Sequence, residues 1–422
     1  MRKHPTPQEA VSRTKSDRVQ RTYLALLLLN TLAASLIWGI NTLFLLDAGL
    51  TNTEAFAANA FFTAGLMLFE IPTGVIADTR GRRVSYLLGT LALVASTLLY
   101  LLMWRIGAPF WAWALSSMFI GLGFAFFSGA VEAWLVDALA ASGFKGKLES
   151  VLAKGEIVEG AAMLAGSVAG GLIAQMTNLG VPYVVRALLL GATFALAFLA
   201  MRDLGFTPVR GKHPVEEVKK VLASSVEHGL GNPPVRWVML EAPFSMGVSV
   251  YAFYAMQPYL MQLYGDPRAY GVAGLAAAIV GGAQIAGGLL APHAGRLFGR
   301  RTSVIGACLI ASTLALALIG LAPGFWGAIS LLVLWGLMFA IIMPVRQAYL
   351  NGLITSENRA TVLSFDSLLG SGGGVVVQPV LGKTADLWGY PASYLGSAAL
   401  QALALPFIWL ARRERAASDA TS

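Results

Sequence analysis

The stretch GVIADTRGRR at residues 74–83 decides the architecture of this chain, because a relative of it returns in the second half. The second copy, APHAGRLFGRR at residues 291–301, places its Gly-Arg-Arg 218 residues after the first one. This spacing is close to half of the 422 residues, as two tandem copies of one unit would give. Each copy carries its basic turn after a second apolar stretch, so the sequence predicts two related halves.

The composition points to lipid as the solvent of this chain. Hydrophobic residues make up 56% of the sequence and charged residues only 12%, with a mean hydropathy of +0.67. Soluble domains contain about 25% charged residues, so a water-soluble globular protein is excluded. One crossing takes about 20 apolar residues. Twelve stretches are long enough, at residues 22–46, 54–77, 84–104, 109–140, 150–174, 181–201, 236–263, 268–292, 302–322, 324–350, 361–385 and 391–411.

These stretches predict an all-α integral membrane protein with twelve transmembrane helices in two pseudo-symmetric six-helix bundles. The predicted bundles are residues 22–201 and 236–411, joined by a linker at 202–235 and flanked by tails at 1–21 and 412–422. Within the linker, VEEVKKVLASSV has the pattern of a short amphipathic helix.

The distribution of Lys and Arg predicts the orientation. Most of the 30 basic residues fall in the two tails, the linker and alternate loops, which indicates a cytoplasmic location for both termini in the inner (plasma) membrane. A net charge of +8 spread over many short loops suits an anionic membrane surface and not nucleic acid.

Several function classes find no support in the residues. Cys308 is the single cysteine, which excludes an intramolecular disulfide, and the four His residues lack metal-ligand spacing. No convergent catalytic set is visible, and GKTAD at residues 382–386 lacks the glycine spacing of a P-loop. The sequence therefore predicts no enzyme, no metal and no cofactor.

The first basic turn resembles the signature of the major facilitator superfamily of secondary transporters: Gly, three residues, Asp, two residues, Gly and two basic residues. It is complete here, as Gly74, Asp78, Gly81, Arg82 and Arg83. The resemblance extends over essentially the whole chain and implies a transporter that works by alternating access.

This sequence departs from the family pattern in three places. The second copy has Pro292 and Arg296 where the first has Gly74 and Asp78. Ser117 stands where many members have an arginine in span four. Span five carries a degraded form of the antiporter glycine motif, which favours export weakly and fits close helix packing better; its residues are Gly166, Ser167, Gly170 and Gly171.

Ionisable residues inside apolar spans mark pathways, because a charge at membrane depth is costly unless it is paired or wetted. We expect Asp78 and Arg82 to form an inner gate with Glu132, Asp137 and Arg346, with Arg346 neutralising one of these acids. The alternative is that the outermost acids are solvated helix ends. As proton-coupling residues we expect Glu159 first, followed by Glu156, Glu70, Asp366 and Glu241, the alternative being hydrogen bonds within the bundle.

Polar and aromatic residues at mid-depth predict the lining of a central cavity, although each also suits a hydrogen bond between helices. They would suit an aromatic or amphipathic solute, and the acids would attract a cationic one. These residues are Asn30, Trp38, Asn41, Tyr251, Tyr254, Gln257, Gln284, Trp335 and Gln378.

The sequence thus predicts a monomeric secondary active transporter of a small organic solute, coupled to protons, with the lipid bilayer as its surroundings. Efflux of drug-like or amphipathic compounds by antiport is the first expectation. A metabolite or lipid transporter of the same fold is the alternative, and a membrane receptor without flux is the alternative from another class.

Overall fold

The computed structural model describes residues 7–208, 214–322, 324–355 and 357–421. Parts of the predicted tail and linker, residues 1–6 and 209–213, lie outside this range. The described chain is α-helical, and its extended structure is limited to a bridge between Arg300 and Ala420. The helices are α1 (Pro7–Trp38), α2 (Asn41–Asp47), α3 (Asn52–Arg80), α4 (Arg82–Ile106), α5 (Phe110–Phe127), α6 (Ala130–Ala141), α7 (Leu148–Met176), α8 (Val181–Ala200), α9 (Pro214–Ser225), α10 (Pro233–Tyr264), α11 (Tyr270–Phe298), α12 (Arg301–Gly320), α13 (Phe325–Asn351), α14 (Arg359–Ala402) and α15 (Leu405–Arg413).

Ten segments of the described chain are long and apolar enough to cross a membrane, which makes this a multi-pass membrane protein. One of them, Thr361–Arg413, has 53 residues, more than two crossings of about 20 residues require. Within it the backbone leaves the helical conformation at Gly389, where φ is 80°. The 32-residue helix α10 is not among the ten, although it is long enough.

The two halves of the chain have matching helices. Helix α11 begins and ends 218 residues after α3, and both contain 29 residues. Helix α3 packs on α5, as α11 packs on α13, and α1 packs on α7, as α10 packs on α14. Between the halves, α3 contacts α14 and α7 contacts α11, as a two-fold relation requires. The repeat seen in the loops is therefore present in the packing.

Small residues bring the halves together along α7. A Cβ atom at Gly171 would lie 2.9 Å from the Cα atom of Gly274, and one at Gly170 would collide with the carbonyl oxygen of Leu36. The glycines that resemble an antiporter motif therefore allow close packing of α7 on α11 and α1.

Hydrogen bonds between the halves cluster towards one end of the molecule, which we call the closed end: the end with loops 48–51, 177–180 and 265–269. The Asp386 carboxylate accepts from the backbone N–H groups of Asn52 (3.0 Å) and Thr53 (2.8 Å). The Gln257 side chain accepts from the N–H of Thr42 (2.9 Å) and donates to the carbonyl of Trp38 (2.6 Å). The opposite, basic end carries loops 80–83 and 299–301.

Candidate functional site

A cavity of about 500 Å³ lies between the two halves. Its walls combine aromatic side chains with hydroxyl and amide groups, and both halves contribute. The aromatic residues are Trp38, Phe62, Tyr100, Phe124, Phe253, Tyr254, Trp335 and Phe339. The other polar residues are Asn41, Asn59, Thr63, Ser167, Arg186, Ser249, Gln284, Ser367 and Ser371. Such a mixture suits a small organic molecule with an apolar body and a few polar groups.

The structure brings together only some of the side chains that the sequence suggested for this cavity. The lining contains Trp38, Asn41, Tyr254, Gln284 and Trp335. The other candidates lie outside it.

Tyr251 is buried among the helices of the second half, where it donates to Ser393 Oγ at 2.7 Å. Gln257 belongs to the closed end, and Gln378 donates to Gly374 O at 3.0 Å and Thr63 Oγ1 at 3.3 Å. Asn30 is half-buried in α1 and does not line the cavity. The side chains of Tyr251 and Gln257 are therefore occupied by neighbouring helices.

Asn59 and other polar lining residues of α3, α4, α10 and α14 were not predicted from the sequence. Asn41 Nδ2 donates to Asn59 Oδ1 at 2.9 Å, and the hydroxyl of Tyr183 donates to Asn41 Oδ1 at 2.9 Å. The amide nitrogen of Asn59 is buried without a hydrogen-bond partner in the described residues. An amide inside the apolar helix α3 was the available signal for this group.

Arg186 of α8 is the side chain of the described lining that is charged at neutral pH. It is only 2% exposed; its Nε donates to Thr97 Oγ1 at 3.2 Å and its Nη1 to the carbonyl of Ala33 at 2.9 Å. Its electrostatic neighbours in the described chain are three tyrosines and no carboxylate: Tyr100, Tyr183 and Tyr254. The cavity therefore carries one buried positive charge that the described residues do not neutralise.

Arg346 of α13 is neutralised by acids of its own half. Its guanidinium makes two hydrogen bonds to Asp366 (2.5 and 2.7 Å) and one to Glu241 (3.3 Å). In this structure Arg346 thus pairs with acids of α10 and α14, and not with Glu132 or Asp137 of the predicted gate. Asp366 and Glu241, suggested as proton carriers, are held in this ion-pair network.

Three other acids suggested by the sequence lie near one another towards the basic end of the first half. Glu132 and Glu156 are exposed and Glu159 is half-buried. All three are close enough to interact electrostatically with Tyr23 of α1. They and the half-buried Glu70 lie outside the described cavity lining.

The first basic turn is organised within its own half. Asp78 Oδ1 pairs with Arg82 Nη1 at 2.7 Å, and Arg83 Nη2 donates to the carbonyl of Phe198 at 2.6 Å. The N–H of Arg83 donates to Asp203 Oδ1 at 2.9 Å, so Asp203 caps α4. Burial raises the pKa of the Asp203 carboxyl, against hydrogen bonding to the Arg83 backbone and the nearby Arg83 and Arg82 charges.

Glycine is required at one position of this turn. Gly81 has φ of 111°, and a Cβ atom there would collide with the Asp203 carboxylate. Gly74, by contrast, lies inside α3 with open space beside it, and the half-buried Asp137 lies in α6. The Asp and second Gly of the motif thus shape the turn between α3 and α4.

Comparison with known proteins identifies the family of this paired-bundle fold. The Major Facilitator Superfamily model matches residues 23–297 and, in an overlapping second match, 242–422. The chain belongs to the major facilitator superfamily. The resemblance carried by the first basic turn is thereby confirmed.

Relatives of this superfamily member support the same assignment. An uncharacterised MFS-type transporter of Pseudomonas aeruginosa (strain UCBPP-PA14) is 30% identical over 177 residues, which are 41% of this chain and 43% of that protein. The match thus spans less than half of the length of this relative.

Solved structures of similar fold are transporters. Nucleoside transporter NupG has a TM-score of 0.77 at 12% identity, covering 93% of this chain and 98% of NupG. The peptide transporter POT in complex with sulfate has a TM-score of 0.72 at 11% identity, covering 96% and 98%. At these identities the likeness shows the fold alone.

Proposed function

We propose that this protein is a secondary active transporter that moves a small organic solute across the membrane by alternating access. The observation that carries the proposal is the cavity between two matching halves, whose mutual hydrogen bonds cluster at the closed end. A solute held there would be released towards the basic end. Rocking of the halves about the cavity would then open the other side.

The proposed topology has twelve crossings. It counts α10 as the seventh and divides Thr361–Arg413 at Gly389 into the last two. With the basic end in the cytoplasm, as the Lys and Arg distribution favours, both termini are cytoplasmic and the structure is inward-facing. The bundles at 22–201 and 236–411 then share the cavity within one monomer of the inner membrane.

The inner gate proposed here closes at the basic end when the cavity opens outwards. Asp78 and Arg82 pair with each other at this end in the inward-facing state, and we propose that this pair rearranges when the halves meet. Glu132 is exposed and Asp137 half-buried at this end, which leaves their carboxylates accessible to the approaching second half. We place the gate at these four residues and leave Arg346 out of it.

Proton coupling is proposed at Glu159. It is half-buried, while its electrostatic neighbours Glu132 and Glu156 are exposed. Three acids lie close together here, and changing access would alter the hydration of Glu159. We propose efflux of amphipathic compounds by exchange for protons. The aromatic lining of the cavity supports efflux of amphipathic compounds. The glycines of α7 add no support, since close helix packing explains them.

Counterflow in proteoliposomes tests transport directly. Purified protein is first screened by thermal shift against drugs, metabolites and lipids, because a ligand that binds the folded state raises Tm. Vesicles loaded with an unlabelled hit should then accumulate the labelled compound. Binding without exchange would contradict the transport proposal.

The variant Glu159→Gln tests coupling in the same vesicles. We expect it to abolish accumulation driven by a pH gradient while retaining counterflow, since counterflow needs no net proton movement. The control is Glu149→Gln, which removes an exposed carboxylate from the same helix. Unchanged pH-driven accumulation in Glu159→Gln would remove this residue from the mechanism.

A further inference from the structure

The charge of the cavity constrains what it binds. The described lining contains no Asp, Glu, Lys or His, and Arg186 is its one arginine. This differs from the expectation that acids would attract a cationic solute, because Glu70, Glu132, Glu156 and Glu159 all lie outside the described lining. A cation entering the cavity would meet a positive charge.

Arg186 has hydrogen-bonding capacity left over. Its Nε and Nη1 donate to neutral oxygens of Thr97 and Ala33, and Nη2 makes no hydrogen bond with a described residue. A guanidinium matches a carboxylate with two parallel hydrogen bonds. Asn59 adds a buried amide donor without a partner in the described chain, on a residue that lines the same cavity.

An unneutralised charge of this kind is not required by the fold. A buried charge is costly unless it is paired, and Arg346 shows how this chain pairs one when its role is structural. At Arg186 the missing negative charge would have to arrive with a ligand. A bound anion would then supply the negative charge that Arg186 does not find among the described residues.

We infer that the cavity binds an aromatic organic anion, with its carboxylate held by Arg186 and its ring between the aromatic walls. The walls offer Phe62, Phe124, Phe253 and Trp335 to the ring. A volume of about 500 Å³ accommodates a molecule of one or two rings. The inference deepens the proposed function: transport of this anion rests on that proposal, whereas its binding does not.

Matched probes test the charge preference. Each probe set carries one ring system, phenyl, indole or naphthalene, on a short chain that ends in a carboxylate, an amide or an ammonium group. Thermal shift and titration calorimetry on the purified full-length protein compare the three members of each set. We expect binding of carboxylates, tighter than binding of the matching amides by about tenfold or more, since a charged hydrogen-bonded pair contributes about 1.5–3 kcal/mol.

Three variants test whether Arg186 causes the preference for carboxylates, and a fourth is the control. Arg186→Gln should abolish the difference between carboxylate and amide, and Arg186→Lys should retain part of it as a point charge without the bidentate geometry. Asn59→Asp leaves Arg186 in place and adds a carboxylate of the same shape to the lining, so it should weaken carboxylate binding and improve ammonium binding. Lys154→Gln, which removes an exposed cation of α7 outside the lining, should change nothing.

The outcomes separate this inference from the transport proposal. No carboxylate binding by the parent, preference for the ammonium or amide member, or a carboxylate preference that survives in both Arg186→Gln and Asn59→Asp would overturn the inference. Carboxylate binding that depends on Arg186, without counterflow of the same probe, would uphold the inference and refute transport. Counterflow of an ammonium probe at the same rate in Arg186→Gln and the parent would uphold transport and refute the inference.

Discussion

Among the described residues, each half of the molecule buries one arginine, and the partners of these two charges differ. In the second half, Arg346 is 4% exposed and bound by the carboxylates of Asp366 and Glu241. In the first half, Arg186 is 2% exposed and bound only by neutral oxygens of the described chain. Arg346 is not part of the lining of the large cavity, whereas Arg186 is. The comparison separates a charge that serves packing from one that is available to a ligand.

The basic turns of the two halves, by contrast, are both followed by a helix that an aspartate caps. In the first half, Asp203 follows α8 and accepts from the N–H of Arg83. In the second, Asp419 follows α15 and accepts from the N–H of Thr302 at 2.8 Å. Arg301 also donates to the carbonyl of Ala420 at 2.9 Å, which ties the C-terminal segment to this turn. An acid after the last helix of each half thus caps the helix that follows its basic turn, even though Arg296 has replaced the acid within the second copy.

The largest effect on stability is expected at the paired arginine. Arg346→Met leaves two carboxylates buried without a cation, and removing one partner of such a network costs about 3–5 kcal/mol. We expect a strongly lowered Tm and a low yield of folded protein in detergent. The measurement is thermal unfolding of the purified variant beside the parent.

Removing the whole network is the control for that prediction. The triple variant Arg346→Met, Glu241→Met and Asp366→Leu substitutes apolar side chains for all three charges, so no uncompensated charge remains. It should regain most of the lost stability and keep the charge preference of the cavity. A triple variant as unstable as the single one would show that the network contributes more than mutual neutralisation.

The sequence predicted the features that follow from hydropathy and repeat spacing. It could not predict which side chains from other helices pair with a given polar residue. Hydropathy and loop spacing predicted the paired halves, because both are set by the bilayer and by the repeat. Arg186 and Arg346 look alike in sequence, each a lone arginine in an apolar stretch. Gln257 and Gln284 are equally similar, yet only the second lines the cavity. Which neighbouring helix supplies a partner is decided by tertiary packing, and hydropathy carries no information about it.

A smaller loss of stability is expected at the two aspartates that cap the helices after the basic turns. Asp203→Ala and Asp419→Ala each remove a capping carboxylate, which costs about 0.5–2 kcal/mol. Similar losses would show that the two turns are equivalent, and a neutral result for either would break that equivalence. Thermal unfolding should be measured at pH 8, because a high pH favours the ionised form of Asp203, whose pKa is raised by burial. Serine at each position should restore part of the stability, since its hydroxyl also caps a helix.

The smallest change in stability is expected at Arg186, and it tests the comparison most directly. Arg186→Met removes a buried cation that the described chain does not neutralise, so no carboxylate is left unpaired. The lost hydrogen bonds to Thr97 and Ala33 cost about 1 kcal/mol each, and relief from burying the charge opposes that loss. We therefore expect the ligand-free variant to have a Tm close to that of the parent or above it. A loss as large as that of Arg346→Met would mean that Arg186 is held by the fold for its own stability, and the contrast between the two arginines would disappear.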